Sequence, residues 1–115
     1  MTEEEAIKAT VLDYFEGWFD GDPDRMERAL HPRLAKRSLR EGRLEEDTAT
    51  EMIEATAKGI GRSRDTGDRE IDMDVVEVYE AIATVVVHSN VYREYLHLTR
   101  TGEGWQIVNA LWDFA

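Results

Sequence analysis

The sequence predicts one α+β domain, with three helices first and a run of antiparallel strands after. Three observations predict it. From Thr2 to Ile60 the apolar residues recur mostly at helical spacing. From Glu70 onward β-branched residues and period-two alternation take over. Between them GRSRDTGDR, Gly61 to Arg69, is polar and glycine-containing and reads as an exposed loop. Helices grouped ahead of strands give an α+β order, without parallel βαβ units.

The first helix is expected from about Thr2 to Asp20. Thr2 and Glu5 have capping-box spacing, and Ile7, Val11, Tyr14, Phe15 and Trp18 fall on one stripe. Gly21 ends it. Asp22 as N-cap and Pro23 at the first helical position restart a short helix that turns Met26, Ala29 and Leu30 inward. His31-Pro32 stops it, because a residue before proline avoids the helical region. Residues 33–40 read as a short strand with Leu34 and Ser38 on one side, and the charged stretch Glu41 to Asp47 as a turn. Thr48 and Glu51 form a second capping box. It opens a helix with Met52, Ile53, Ala57 and Ile60 on its stripe, closed by Gly59 and Gly61. IDMDVVEVY, AIATVVVHSNVY, EYLHLTRT and WQIVNALWDF then read as strands. A turn lies near Ala81 and a hairpin at Gly102-Glu103-Gly104.

With 115 residues, of which 42% are hydrophobic, the chain has room for one core and hence one domain, residues 1–115. No apolar run approaches the roughly 18 residues that span a membrane. The acidic start MTEEEAIK lacks the regions of a signal peptide, so a cytoplasmic location is expected. Without cysteine there are no disulfides, thiolate metal sites or cysteine nucleophiles. A net charge of -11 repels phosphate backbones and anionic lipid, so neither nucleic acid nor a membrane is expected as a partner. The local basic cluster Arg33, Lys36, Arg37, Arg40 and Arg43 is followed at once by Glu45, Glu46 and Asp47, and reads as a solvated strand face.

Two stretches carry a family resemblance. YFEGWFDGDPDRMERALHP resembles the aromatic first helix, Gly-Asp turn and short second helix of the nuclear transport factor two-like (SnoaL-like) superfamily. EYLHLTRTGEGWQIVNALW resembles its last hairpin. Within that superfamily the chain looks most like the putative lumazine-binding branch. The resemblance covers essentially the whole chain. It implies a cone-shaped fold, a curved, mainly antiparallel sheet wrapped around three N-terminal helices, and commonly a homodimer through the outer sheet face. The superfamily contains isomerases, dehydratases, cyclases and transport adaptors, so fold does not assign the task. Independently of the resemblance, Val75 with Val76, Val85 to Val87, and Ile107 with Val108 are apolar at both parities. A sheet apolar on both faces needs two covers, the helices and a second subunit.

Candidate site residues follow from periodicity. Tyr14, Phe15 and Trp18 either pack the core or line the cone, with Tyr14 the best polar point. His31 either interacts with the last carbonyls of its helix or stands at the cone's rim. Asn109 and Asp113 share strand parity with Trp105 and Ile107. If that face looks inward, Asn109 offers an amide and Asp113 stands near the mouth, while Trp112 points away unless a bulge intervenes. His31 and Asp113 are the only candidate catalytic groups, and Asp113 also reads as a solvated strand end. His88 and His97 lie on neighbouring strands, but no third ligand or HExxH spacing accompanies them and no metal is expected. No GxSxG and no glycine-rich phosphate loop occurs, and no cofactor is called for.

The expected pocket lies between the first helix and the final strands. Tyr14, Trp18 and Asn109 are on its wall and His31 is near its entrance, ready for a small apolar or aromatic ligand. Three functions compete: a ligand-binding domain, an isomerase, cyclase or dehydratase with a carboxylate or histidine base, and a protein interaction module. An enzyme should place such a base deep in the cone near Tyr14. A binding module needs only neutral polar groups there. An interaction module has its cone filled by its own side chains.

Overall fold

A computed structural model describes Met1 to Ala115. The elements are α1 (Glu3–Asp20), α2 (Pro23–Ala29), β1 (Leu30–Arg40), β2 (Arg43–Asp47), α3 (Ala49–Ala57), α4 (Ile60–Arg64), β3 (Ile71–Tyr79), β4 (Ile82–Ser89), β5 (Tyr92–Thr101) and β6 (Gly104–Phe114). The six strands form one sheet in the order β2-β1-β6-β5-β4-β3. Every neighbouring pair is antiparallel except β1 with β6. The helices cover the concave face, and none is long and apolar enough to cross a membrane.

α1 forms where its caps say it should. Thr2 and Glu5 make a reciprocal capping box, and Gly21 takes a left-handed φ of 67° to end the helix. Its buried stripe is Ile7, Val11, Tyr14, Phe15, Trp18 and Phe19. Asp22 Oδ1 accepts from the amides of Asp24 and Arg25, which starts α2.

Four local expectations are corrected. β1 begins at Leu30 and includes Pro32. The ladder to β6 is interrupted between Leu30 and Ala35, so the missing proline N–H breaks no bond. The turn after it is only Glu41-Gly42, both at positive φ, and the charged residues Arg43–Asp47 form an edge strand paired with β1. Charge on both faces suits an edge, which it protects from further pairing. α3 buries Ala49, Met52 and Thr56, whereas Ala57 and Ile60 are exposed. Gly61 lies inside a fourth helix. A Cβ there would stand 2.3 Å from the Trp18 carbonyl oxygen, so glycine lets α4 touch α1.

The core joins α1 to the inner sides of β4, β5 and β6 through Val85, Val87, Leu96, Leu98, Trp105 and Ile107. Register shifts in β3 between Val75 and Glu77, and between β5 and β6 beside His97 and Leu98, are bulges of the kind that bend a sheet around its helices.

Candidate functional site

The second of those bulges decides which residues reach the interior. Leu98 pairs with Ile107, but the next β5 residue, His97, pairs with Asn109, leaving Val108 without a partner. Parity flips there. Trp105 and Ile107 face inward ahead of the bulge, and Ala110 and Trp112 face inward after it. Asn109 is therefore exposed on the outer face, with Nδ2 3.4 Å from His97 Nδ1. Asp113 is also outside, paired with Arg40 at 3.0 Å. Neither belongs to the cone. His31 sits at the start of β1, where its Nδ1 accepts from the Arg33 amide, far along the strand from the cone's open part. His88 lies opposite Arg93 and His97 opposite Thr84, so the two histidines do not face each other. Of the residues expected in the pocket, the structure brings only Tyr14 and Trp18 together.

What it gathers around them was not foreseen. Alternation along β1 sends Leu34, Lys36 and Ser38 inward, so Lys36 leaves the solvated basic face and enters the cone. On β5 the same alternation buries Tyr92, Glu94 and Leu96. Tyr14, Lys36 and Glu94 are 2%, 7% and 1% exposed, and they meet. Tyr14 Oη donates to Glu94 Oε1 at 2.7 Å, and Lys36 Nζ donates to Tyr14 Oη at 2.5 Å. The direct Nζ to Oε1 separation is 3.9 Å, so the phenol stands between ammonium and carboxylate. Aromatic rings surround Nζ, with Tyr14 at 4.9 Å, Trp112 at 5.2 Å and Trp18 at 5.8 Å to their centroids. A charged residue on the inward parity of a strand was the available signal, with Leu34 two positions before Lys36 and with Tyr92 and Leu96 on either side of Glu94.

Above this cluster lies a cavity of about 310 Å³. One wall is aromatic and basic: Trp18, Tyr92, Trp112 and Phe114 with Arg40 and Arg64. The other, from β2 and α3, is acidic: Glu45, Asp47 and Glu51. Lys36 and Ser38 rise from β1 between them. The exposed residues Glu45, Glu51, Ile60 and Phe114 form its rim. A separate small space of about 10 Å³ lies among Tyr14, Lys36 and Glu94, sharing Trp18, Lys36 and Tyr92 with the cavity lining. The polar ends of the wall are held in place. Trp18 Nε1 and Arg64 Nη1 both donate to Tyr92 Oη, at 2.9 and 3.3 Å. Arg40 lies over the rings of Trp112 and Phe114 at 4.6 and 4.9 Å. The indole N–H of Trp112 is buried without a partner.

Burial sets the electrostatics. It drives the Lys36 ammonium below its ordinary range, opposed by the charges of Glu94 and Asp47. It drives the Glu94 carboxyl upward, opposed by Lys36 and the Tyr14 hydrogen bond. Asp47 is raised for the same reason, again opposed by Lys36. Tyr14 is pushed well up by burial and by the Glu94 charge, and stays a phenol. Lys36 and Glu94 are thus both pressed toward their neutral forms. The Tyr14 hydroxyl, bonded to both, is the contact that joins them.

A larger concavity, about 500 Å³, is a different feature. It is an open dish on the outer face, lined by Glu77, Tyr79, Ile82, Thr84, His97 and Thr99 among others. No buried charged group reaches it, so the interior cavity is the better chemical site despite its smaller volume.

Comparison with known proteins agrees with this architecture. Residues 2–113 match the family described as Putative lumazine-binding. An NTF2-like protein of unknown function from Silicibacter pomeroyi superposes with a TM-score of 0.75 at 18% identity, covering 100% of both chains. An NTF2-like protein of unknown function from Shewanella baltica gives 0.76 at 12% identity, over 98% of this chain and 94% of that one. An NTF2-like protein from Cytophaga hutchinsonii gives 0.70 at 14%, over 100% of both. No curated protein matches the sequence. At these identities the structures speak for the fold, and the match over residues 2–113 speaks for the family: the chain belongs to the putative lumazine-binding family and has an NTF2-like fold.

Proposed function

We propose that the protein is a small-molecule-binding domain whose ligand enters the cavity between the helices and the C-terminal halves of β1 and β6. One observation carries this reading. About 310 Å³ of interior space is walled by four aromatic side chains, Trp18, Tyr92, Trp112 and Phe114, with charged groups converging on it. That volume falls in the range of ordinary ligand pockets, and aromatic walls with a few fixed polar groups suit a flat ring system. The open cavity also weighs against a pure interaction module, whose cone would be filled.

A thermal-shift screen tests the reading. A ligand present at about 100 times its Kd should stabilise the fold by roughly 2.7 kcal/mol. Ala55→Trp, which fills the cavity from α3, should abolish the shift, and Thr84→Trp in the outer dish should leave it intact. Hits that survive Ala55→Trp and fail with Thr84→Trp would place binding on the outer face instead.

A second reading, acid–base catalysis on a bound ligand, is favoured by Glu94. A buried carboxyl on Tyr14, raised by desolvation, is the deep base that distinguishes an enzyme from a neutral binding pocket.

For assembly, we propose a homodimer through the outer face of the sheet. Leu39, Leu111 and Tyr95 are exposed there, with Val86 half-buried beside them. Arg37, Arg93 and His88 share that face with Asp72, Asp74 and Glu77, so a second copy can meet it with opposite charges.

A further inference from the structure

We propose that Lys36 is an amine nucleophile that forms an imine with a small aldehyde or ketone held in the cavity. This rests on the ligand-binding reading and names the group that acts on the ligand. The placement of the cluster argues for it. A lysine that merely neutralised Glu94 would lie directly against the carboxylate. Here Nζ is 3.9 Å from Oε1 and the Tyr14 hydroxyl is inserted between them, within hydrogen-bond reach of both. The chain Lys36 Nζ to Tyr14 Oη to Glu94 Oε1 is a proton path with an acceptor at its end. Lys36 also lines both the main cavity and the small space beside Tyr14 and Glu94, so its side chain borders the volume a ligand would fill.

The steps balance along that path. The ammonium gives a proton to Tyr14 Oη as Tyr14 gives its own to Glu94, which leaves a neutral amine, an intact phenol and a carboxylic acid. The Nζ lone pair then attacks the carbonyl carbon. A C–N bond forms, the C=O π bond breaks, and the oxygen takes a proton back from the relay. The nitrogen, now positively charged, returns one of its two N–H protons to the Glu94 carboxylate through Tyr14, which gives the neutral carbinolamine, and that proton, delivered to the hydroxyl, lets it leave as water. The remaining N–H proton departs to solvent or Glu94 as the imine forms. The net change is amine plus carbonyl to imine plus water, with no oxidant or reductant. The charged and titratable groups around Nζ are Tyr14 from α1, Glu94 and Tyr92 from β5, Asp47 from β2 and Arg64 from α4. Desolvation favours the neutral amine that the attack requires, and desolvated lysines are the ones that act this way. Arg40 and Arg64 at the aromatic wall suit a carbonyl compound that also carries an anionic group.

The experiment uses 4-formylbenzoate, whose ring, aldehyde and carboxylate match these features. The intact protein is incubated with it near neutral pH, trapped with borohydride, which delivers hydride to the imine carbon, and mapped by peptide mass spectrometry. Lys8 and Lys58, the other lysines of the chain, serve as internal references. The expected result is modification of Lys36 at least about tenfold faster than of either reference, because only Lys36 is buried with a proton acceptor within hydrogen-bond reach. Ala55→Trp, with its fold checked by circular dichroism, should reduce the Lys36 rate to or below the reference rates. Binding of the unreactive 4-(hydroxymethyl)benzoate is measured alongside. If that analogue binds in the cavity and Lys36 reacts no faster than Lys8 and Lys58, the imine proposal is overturned and the binding reading stands. If the analogue does not bind and Lys36 is unreactive, the proposal falls together with the choice of cavity. Preferential reaction at Lys36 that Ala55→Trp leaves unchanged also overturns it, since the reagent would then arrive by another route.

Discussion

Tyr14 links a buried cation to a buried carboxyl, and its hydroxyl has no other partner in the structure. Tyr14→Phe keeps the ring and removes both bonds. It should cost about 1–3 kcal/mol, the penalty for leaving buried polar groups unsatisfied. Urea denaturation measures it, and an unchanged midpoint would mean the hydroxyl contributes nothing. Glu94→Gln has a distinctive pH signature. The charge of Glu94 raises the Lys36 pKa against burial, so removing it lowers that pKa further. A lysine with a depressed folded-state pKa contributes stability above its unfolded value of about 10.4 and loses it as pH falls through the folded value. Glu94→Gln should therefore be weakest relative to wild type near neutral pH and recover as pH rises toward roughly 10. A stability gap that does not change with pH would show that Lys36 and Glu94 are uncoupled.

At the level of elements, the capping boxes, the α1 stripe and the hairpin at Gly102-Glu103 were legible because each is a local chemical signal. The site was legible only where a single helix presented it, at Tyr14 and Trp18. Lys36 was hidden because a basic run in sequence looks solvated, whereas a strand alternates and buries every second member of it. Asn109 was misplaced because uniform parity was carried from Ile107 across a bulge that no residue type announces. Val108 is the residue that makes the difference. Deleting it should remove the bulge while Ile107, Ala110 and Trp112 stay on the inner face, because Asn109 then follows Ile107 in regular alternation, so the near-ultraviolet dichroism of the packed indole should survive. Loss of that signal in the deletion variant would show that the bend at the bulge, and not alternation along the strand, places Trp112. Gly61, read as a helix stop, is a contact point instead. Gly61→Ala brings a methyl against the Trp18 backbone and ring, and overpacking of this kind costs typically 1–3 kcal/mol, about what a thermal melt should reveal.

For the whole molecule, the two faces of the sheet divide the work. The concave face holds the cavity, and the outer face carries the apolar strip proposed to meet a second copy. If that strip is the interface, sedimentation should find a dimer at micromolar concentration, and Leu111→Glu should yield monomers whose cavity still binds ligand. A wild-type monomer would remove the dimer and leave the cavity untouched. Binding inside the cone has a built-in reporter, because the three tryptophans occupy different places. Trp18 and Trp112 line the cavity, while Trp105 donates to Glu3 beside the start of α1. The most direct measurement is a titration of indole-¹⁵N-labelled protein with a screening hit, followed by the tryptophan side-chain N–H resonances. With the ligand in the cavity, the Trp112 and Trp18 signals move together and saturably while Trp105 stays fixed. Saturable movement of Trp105 with Trp18 and Trp112 unmoved would contradict binding inside the cone.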